Sequence, residues 1–283
     1  MKKYYLFIIY ILFITCDQIE APYTTENLNI GLKKVIVEKF TGHKCSNCPD
    51  ASTTLNELKE FYPNNIISIA IHPGNLIEFT NTDDNYPYDF TTESGDIIAQ
   101  DMGAIFLPLA TINRKPGGIS NRCWTKDEWA SEIYDILYDS SGDPVPKNIN
   151  ITINNYYNPS LKEITSSINL EVINNLNGDY RLVALITEDE IIAAQLDDTF
   201  LDTNYEHNNI LRASLNGVYG EDLNMNLKSG TVINKEYNVA MNTTNNVNWT
   251  NSWNSPENCH IVVYIYNTNT LIIEEAETQP FIQ

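Results

Sequence analysis

The chain has 283 residues, 42% of them apolar, and a formal net charge of −20. That apolar share supplies real cores and argues against wholesale disorder, while the length leaves room for two domains. Such an excess of acid repels phosphates and anionic headgroups, so a nucleic-acid role is disfavoured.

The first residues are "MKKYYLFIIYILFITC". Lys2 and Lys3 precede an apolar run from Tyr4 to Ile14 that is too short for a transmembrane helix. This is the layout of a signal peptide over residues 1–15, ending at Cys16. "FITC" resembles a loose lipobox, in which the cysteine is diacylated and becomes the new N-terminus. Phe13 departs from the usual Leu or Val of that motif, although Leu12 is adjacent. Acyl chains on Cys16 would hold the protein stably on a membrane. Residues 16–29 are polar and suit a tether. The rest of the chain then faces an oxidising compartment, where neighbouring thiols oxidise. Four cysteines remain there: Cys45, Cys48, Cys123 and Cys259. The last two, far apart in sequence, read as buried singletons.

"KKVIVEKF" (33–40) is β-branched and predicts a strand. "SNCPDASTTLNELKEFYP" predicts a helix, with Pro49 in its first turn, Asp50 near its N-terminus, and Leu55, Leu58 and Phe61 on one face. "NIISIAIH" (65–72) is nearly continuously apolar, as expected of a strand buried on both faces. A polar, Tyr- and Asp-rich segment runs to about Glu93, followed by a short helix in "GDIIAQDMG". "FLPLATINR" predicts a strand that begins with a proline, "KPGG" a tight turn, and "GISNRCW" a second strand. "TKDEWASEIYDILYD" predicts an amphipathic helix opened by a capping box, Thr125 with Glu128.

"DSSGDPVPKN" carries the linker, residues 141–147. Beyond it the texture changes. "NITINNYY", "EITSSINLEVIN", "YRLVALITED", "ILRASLNG", "VINKEYNVAMN", "HIVVYIYN" and "LIIEEAE" alternate or are β-branched, separated by Asn/Gly-rich turns. Seven or so short strands without a helix predict a sandwich of immunoglobulin-like architecture over 148–283. The preceding order of strands and helices, 30–140, predicts an α/β domain.

The chemistry gathers at "GHKCSNCP". A cysteine just ahead of a helix meets unsatisfied N–H groups and the positive end of the dipole, both favouring thiolate. Lys44, and His43 when protonated, would push the same way. Cys45 is therefore the candidate nucleophile, and Cys48 the thiol placed to resolve a mixed disulfide. Thioredoxin-type folds set a cis-proline at the start of the strand facing such a pair. Pro108 is the residue in that place.

"EKFTGHKCSNCPDA", "IHPG", "LPLATINR" and "YEHNNILRASLNGVYGEDL" together resemble the 28-kDa outer-membrane-protein-related lipoproteins of Bacteroidetes. The resemblance covers nearly the whole mature chain. It implies a thioredoxin-like domain joined to an immunoglobulin-like sandwich, a lipid anchor, and an outer-membrane location facing the periplasm or the cell surface. Carried over residue by residue, it offers Cys45, Cys48 and Pro108 as a thioredoxin-like site. Two departures matter. Where thioredoxins keep a buried Asp six residues before the first cysteine, this chain has Lys39; Glu38, next to it, should face the opposite side of the strand. The second-domain motif Tyr-x-His-x-His has Asn209 as its last member, which weakens any metal reading at His207.

No second CxxC or HxxxH completes a zinc site at Cys45 and Cys48. A copper site would need His43 or His72 as a third ligand, and no metal or other cofactor is expected. "LDDTFLDTNYE" lacks calcium-loop spacing and reads as a solvated acidic loop. Two functions remain. One is thiol–disulfide exchange with cysteine-containing protein substrates. The other is non-enzymatic binding or adhesion through the sandwich, with the CxxC as a structural disulfide.

Overall fold

A computed structural model describes residues 33–223, 227–240 and 255–282. The expected signal peptide, Cys16 and the tether lie outside the described residues. The first strand, β1 (Val35–Phe40), is buried along its whole length. Helix α1 (Cys48–Phe61) follows, with Pro49 in its first turn and Ala51 and Leu55 turned inward. β2 (Ile66–Ile71) pairs parallel with β1 and is buried at all six positions, matching its continuous apolar run.

Two short helices come next, α2 (Ile77–Thr80) and α3 (Glu93–Met102). The Thr92 side chain caps α3, and Gly103, at φ 79°, ends it in the left-handed conformation that glycine adopts without steric cost. β3 (Leu109–Ile112) lies antiparallel to β1. The second strand expected at "GISNRCW" does not form. Only isolated bridges, Ala110 with Trp124 and Ser120 with Cys123, occur there. The chain instead folds tightly back at Gly118, where a Cβ would lie 2.1 Å from the Cys123 carbonyl oxygen. The Thr125–Glu128 capping box is present and leads into α4 (Trp129–Leu137).

The remainder is β-structure: β4 (Ile149–Asn158), β5 (Glu163–Val172), β6 (Tyr180–Glu188), β7 (Ile191–Asp197), β8 (Phe200–His207), β9 (Ile210–Ser214), β10 (Glu221–Asp222), β11 (Val232–Ala240), β12 (Cys259–Asn267) and β13 (Ile273–Pro280). β4, β5 and β11 form one sheet, and β7 with β8 a separate hairpin. All other strands belong to a single sheet of order β13-β12-β6-β9-β2-β1-β3, with β10 on β6. This sheet crosses the 141–147 segment, joining β2 to β9 through Ala70 and Ile210.

Period-two alternation then assigns each face. Leu182, Ala184, Ile186, Ile261 and Val263 pack on Ile149, Ile168 and Leu170, which makes a β-sandwich. From the opposite face of the same strands, Val183, Leu185, Val262 and Tyr264 share a core with Ile36, Phe40, Ile69 and Met102. Val35, Val37 and Ile112 face the helices, against Leu55, Trp129 and Ile133.

A buried ion pair sits in the middle layer. Arg114 donates to both oxygens of Glu38, at 2.8 and 2.6 Å, and to the Tyr264 hydroxyl at 2.7 Å. Thr111 gives Glu38 a further hydrogen bond at 2.9 Å. Asn113 and Arg114 both have positive φ, 46° and 54°, which turns the Arg114 side chain inward at the end of β3. Asn113 also accepts from the Ile36 amide with its side chain, and from the Ile273 amide with its carbonyl. The "INR" of the sequence thus ties β1 to β12 and β13.

Candidate functional site around Cys45 and Cys48

β1 runs out at Phe40, and the loop 41–47 brings the chain to the start of α1. The close approach of Gly42 to Phe79 shapes this loop, because a Cβ there would lie 2.6 Å from the Phe79 carbonyl oxygen. Cys45 and Cys48 are joined in a disulfide with a Cα–Cα distance of 5.4 Å. The Cys48 amide donates to the Cys45 carbonyl at 3.1 Å, and Cys48 is the first residue of α1. Both cysteines are buried, at 2% and 1% exposure.

Pro108 follows a cis Leu107–Pro108 peptide and immediately precedes β3, whose first residue, Leu109, pairs with Phe40. Leu107, Leu109, Cys45 and Cys48 lie in one core cluster. His43 is buried, with Nε2 at 3.0 Å from the Asn81 carbonyl oxygen and its ring stacked on Tyr86. Burial lowers its pKa and favours the neutral ring. The Lys44 amine turns outward to Asp83 at 2.7 Å and Asn81 at 2.8 Å. The positive end of α1 is thus the nearest constant favourable influence on a Cys45 thiolate.

The pair is covered by the β7–β8 hairpin, in the segment read from sequence as a solvated acidic loop. The Leu196 amide donates to the His43 carbonyl at 2.7 Å, and the Asp198 amide to the Ser46 carbonyl at 3.1 Å. Gln195, itself buried, donates through Nε2 to the carbonyls of Gly42 and Cys45, each at 3.2 Å. The alternation in "IIAAQLD" was the available signal for β7. The Asp-rich β8, exposed over much of its length, concealed it.

Beneath the hairpin lies a cavity of about 60 Å³, bounded among others by Lys39, Cys48, Ser52, His72, Tyr205 and His207. Lys39 points to the α1 side of the sheet and Glu38 to the other, as strand alternation requires. Burial, helped by nearby Lys59, lowers the Lys39 pKa to about 8. His72 stacks on Phe90, with ring centroids 4.6 Å apart, and neither of its ring nitrogens has a hydrogen-bond partner among the described residues. Burial holds His72 well below the usual imidazole range and brings His207 to about 3, with neighbouring cations adding to both shifts. Asn209, at φ 58°, joins the two halves through the Ala70 amide, Ser68, Lys59 and Asp189.

Cys123 and Cys259 are free and buried, as their isolation in sequence suggested. Burial pushes the Cys123 thiol up to about 12, and its Sγ lies 3.2 Å from the Met102 carbonyl oxygen. Among the described residues, no three His, Cys, Asp or Glu side chains converge as metal ligands. None of the described helices is long and apolar enough to cross a membrane.

HBP35 of Porphyromonas gingivalis is similar in fold, with a TM-score of 0.63 and 13% identity over 88% of this chain and 76% of that one. A domain of the outer membrane lipoprotein Omp28 from Porphyromonas gingivalis aligns over 48% of this chain and 89% of its own, at 18% identity and a TM-score of 0.33. No curated protein matches. Residues 98–279 match the family described as outer membrane protein Omp28. With well over half of its length matched, from α3 to β13, the chain belongs to the Omp28 family of outer membrane proteins, and the outer membrane is its location.

Proposed function

We propose that this is a lipid-anchored outer-membrane protein whose residues 30–140 form a thioredoxin-like domain able to exchange thiols and disulfides, carried on an immunoglobulin-like sandwich of residues 148–283. Cys16 is the proposed lipidation site, residues 1–15 the signal peptide and 141–147 the linker. Cys45 attacks a substrate disulfide and Cys48 resolves the mixed disulfide, beside Pro108. The substrates are cysteine-containing proteins. The observation that carries this reading is the Cys45–Cys48 disulfide at the N-terminus of α1. There the unsatisfied N–H groups of the helix favour a thiolate once the bond opens.

Burial of both sulfurs under β7 and β8 favours a second reading, in which the disulfide is structural and the protein binds without catalysing. Exchange requires the hairpin to lift, and a structural disulfide does not. Titrating the reduced protein with a thiol-reactive probe, alongside an insulin-reduction assay, separates the two. Exchange predicts a Cys45 pKa below the ordinary value of about 8.5 and measurable turnover. An ordinary pKa together with no turnover would sink it and leave the binding protein.

A further inference from the structure

Lys39 is a buried amine that, among the described residues, forms no ion pair with a carboxylate. Its Nζ bonds Ser52 Oγ, and that hydroxyl donates to the Cys48 carbonyl at 3.1 Å. Lys39 and Cys48 both line the same cavity of about 60 Å³, large enough for a relaying water. The titratable groups around it come from three elements. Lys59 on α1 is a nearby cation outside the lining; within it, His72 after β2 and His207 on β8 are held neutral, beside Tyr205 and Glu206 of β8. Apart from Glu206, whose side chain is largely exposed, nothing in that lining supplies an anion to hold Lys39 protonated.

We propose that Lys39 accepts the proton of the Cys48 thiol when Cys48 resolves a mixed disulfide at Cys45. The proposal rests on the exchange reading above. In the step, the Cys48 Sγ–H proton passes to Lys39 Nζ and the Cys48 sulfur attacks Cys45 Sγ. The Cys45–Cys48 bond forms as the bond from Cys45 to the substrate sulfur breaks. The substrate leaves as a thiolate and takes up a proton from solvent. Over both steps, one substrate disulfide is reduced to two thiols and the protein dithiol is oxidised; an external thiol restores it. An amine whose pKa lies near the working pH suits such a transfer in both directions, and burial has lowered the Lys39 pKa to about 8.

The test follows the reduced full-length chain after mixing with oxidised glutathione, recording formation and decay of the Cys45–glutathione mixed disulfide by mass spectrometry across pH. In the wild type, decay accelerates through an inflection near pH 8. In Lys39→Met the rise moves up to the titration of the Cys48 thiol itself, and decay at pH 8 slows by roughly 10-fold or more. Lys39→Arg keeps the charge but cannot accept a proton, and behaves as Lys39→Met does. A mixed disulfide that decays with the same pH profile in all three proteins overturns the role of Lys39 alone. Failure of the wild type to form any mixed disulfide overturns the exchange reading and this proposal with it. Should the variants not fold, an NMR titration of the Lys39 amine in the reduced wild type decides: titration near pH 8 supports the proposal, and titration at the usual lysine pH overturns it.

Discussion

Gln195 donates a hydrogen bond to the carbonyl of Cys45 at 3.2 Å, reaching across 150 residues of sequence. The same amide group also holds the Gly42 and Leu196 carbonyls. One buried side chain therefore seals the hairpin onto the CxxC loop.

Gln195→Ala should loosen that seal. It leaves buried carbonyls without their donor, at a cost of about 1–3 kcal/mol. The expected result is a roughly 10-fold faster reduction of the Cys45–Cys48 disulfide by dithiothreitol, with only a modest fall in melting temperature. An unchanged reduction rate would mean that the hairpin does not limit access.

Glu38 and Arg114 should behave as a coupled unit. Arg114→Met leaves the Glu38 carboxylate buried beside Thr111 alone, and should destabilise the fold by about 3–5 kcal/mol. Glu38→Gln combined with Arg114→Met should cost less than the two single changes added together. Denaturant unfolding of the four proteins measures the coupling; simple additivity would refute it.

Glu275 gives one pH dependence. Burial raises its pKa to about 7, while one oxygen accepts from the Asn148 amide and the other has no partner among the described residues. The folded state therefore holds the proton more tightly than the unfolded state. Its contribution to stability falls as pH rises from the ordinary carboxylate range to about 7, and is flat above that. Glu275→Gln should remove this slope, so the variant gains melting temperature relative to wild type at pH 8. Parallel curves for the two proteins would contradict the assignment.

The histidines have the opposite sign. His72 and His207 are held neutral in the fold, so the unfolded chain takes up their protons first as pH drops below about 6.5. Stability is lost between there and the folded pKa, about 3 for His207. His72→Phe, stacked on Phe90 in place of the imidazole, should flatten the acid limb of a thermal-stability profile. An acid limb as steep as the wild type's would exclude His72 as a contributor.

How much of this was legible depends on how local the signal is. Cys45 and Cys48 at a strand–helix junction, the capping box at Thr125, and the opposite facing of Glu38 and Lys39 all follow from neighbouring residues. So does the doubly buried β2, whose apolar run has no other reading. The hairpin was missed because charge dominates "LDDTFLDTNYE", while its buried anchors, Gln195 and His207, gain meaning only from residues more than a hundred positions away. "GISNRCW" has the composition of a strand, but the turn of "KPGG" continues into it at Gly118 and folds the segment back on itself. The inward Arg114 depends on a left-handed backbone and on Tyr264, and neither leaves a periodic trace.

The sheet that runs from β3 to β13 limits how such a protein can evolve. Where two domains meet only through a linker, recombination can exchange one for another. Here a new partner for the CxxC half would have to supply a Tyr264 for Arg114, an Asn209 for Ala70 and a Gln195 for Cys45. Replacing either half with an unrelated one would strip these buried partners from the other.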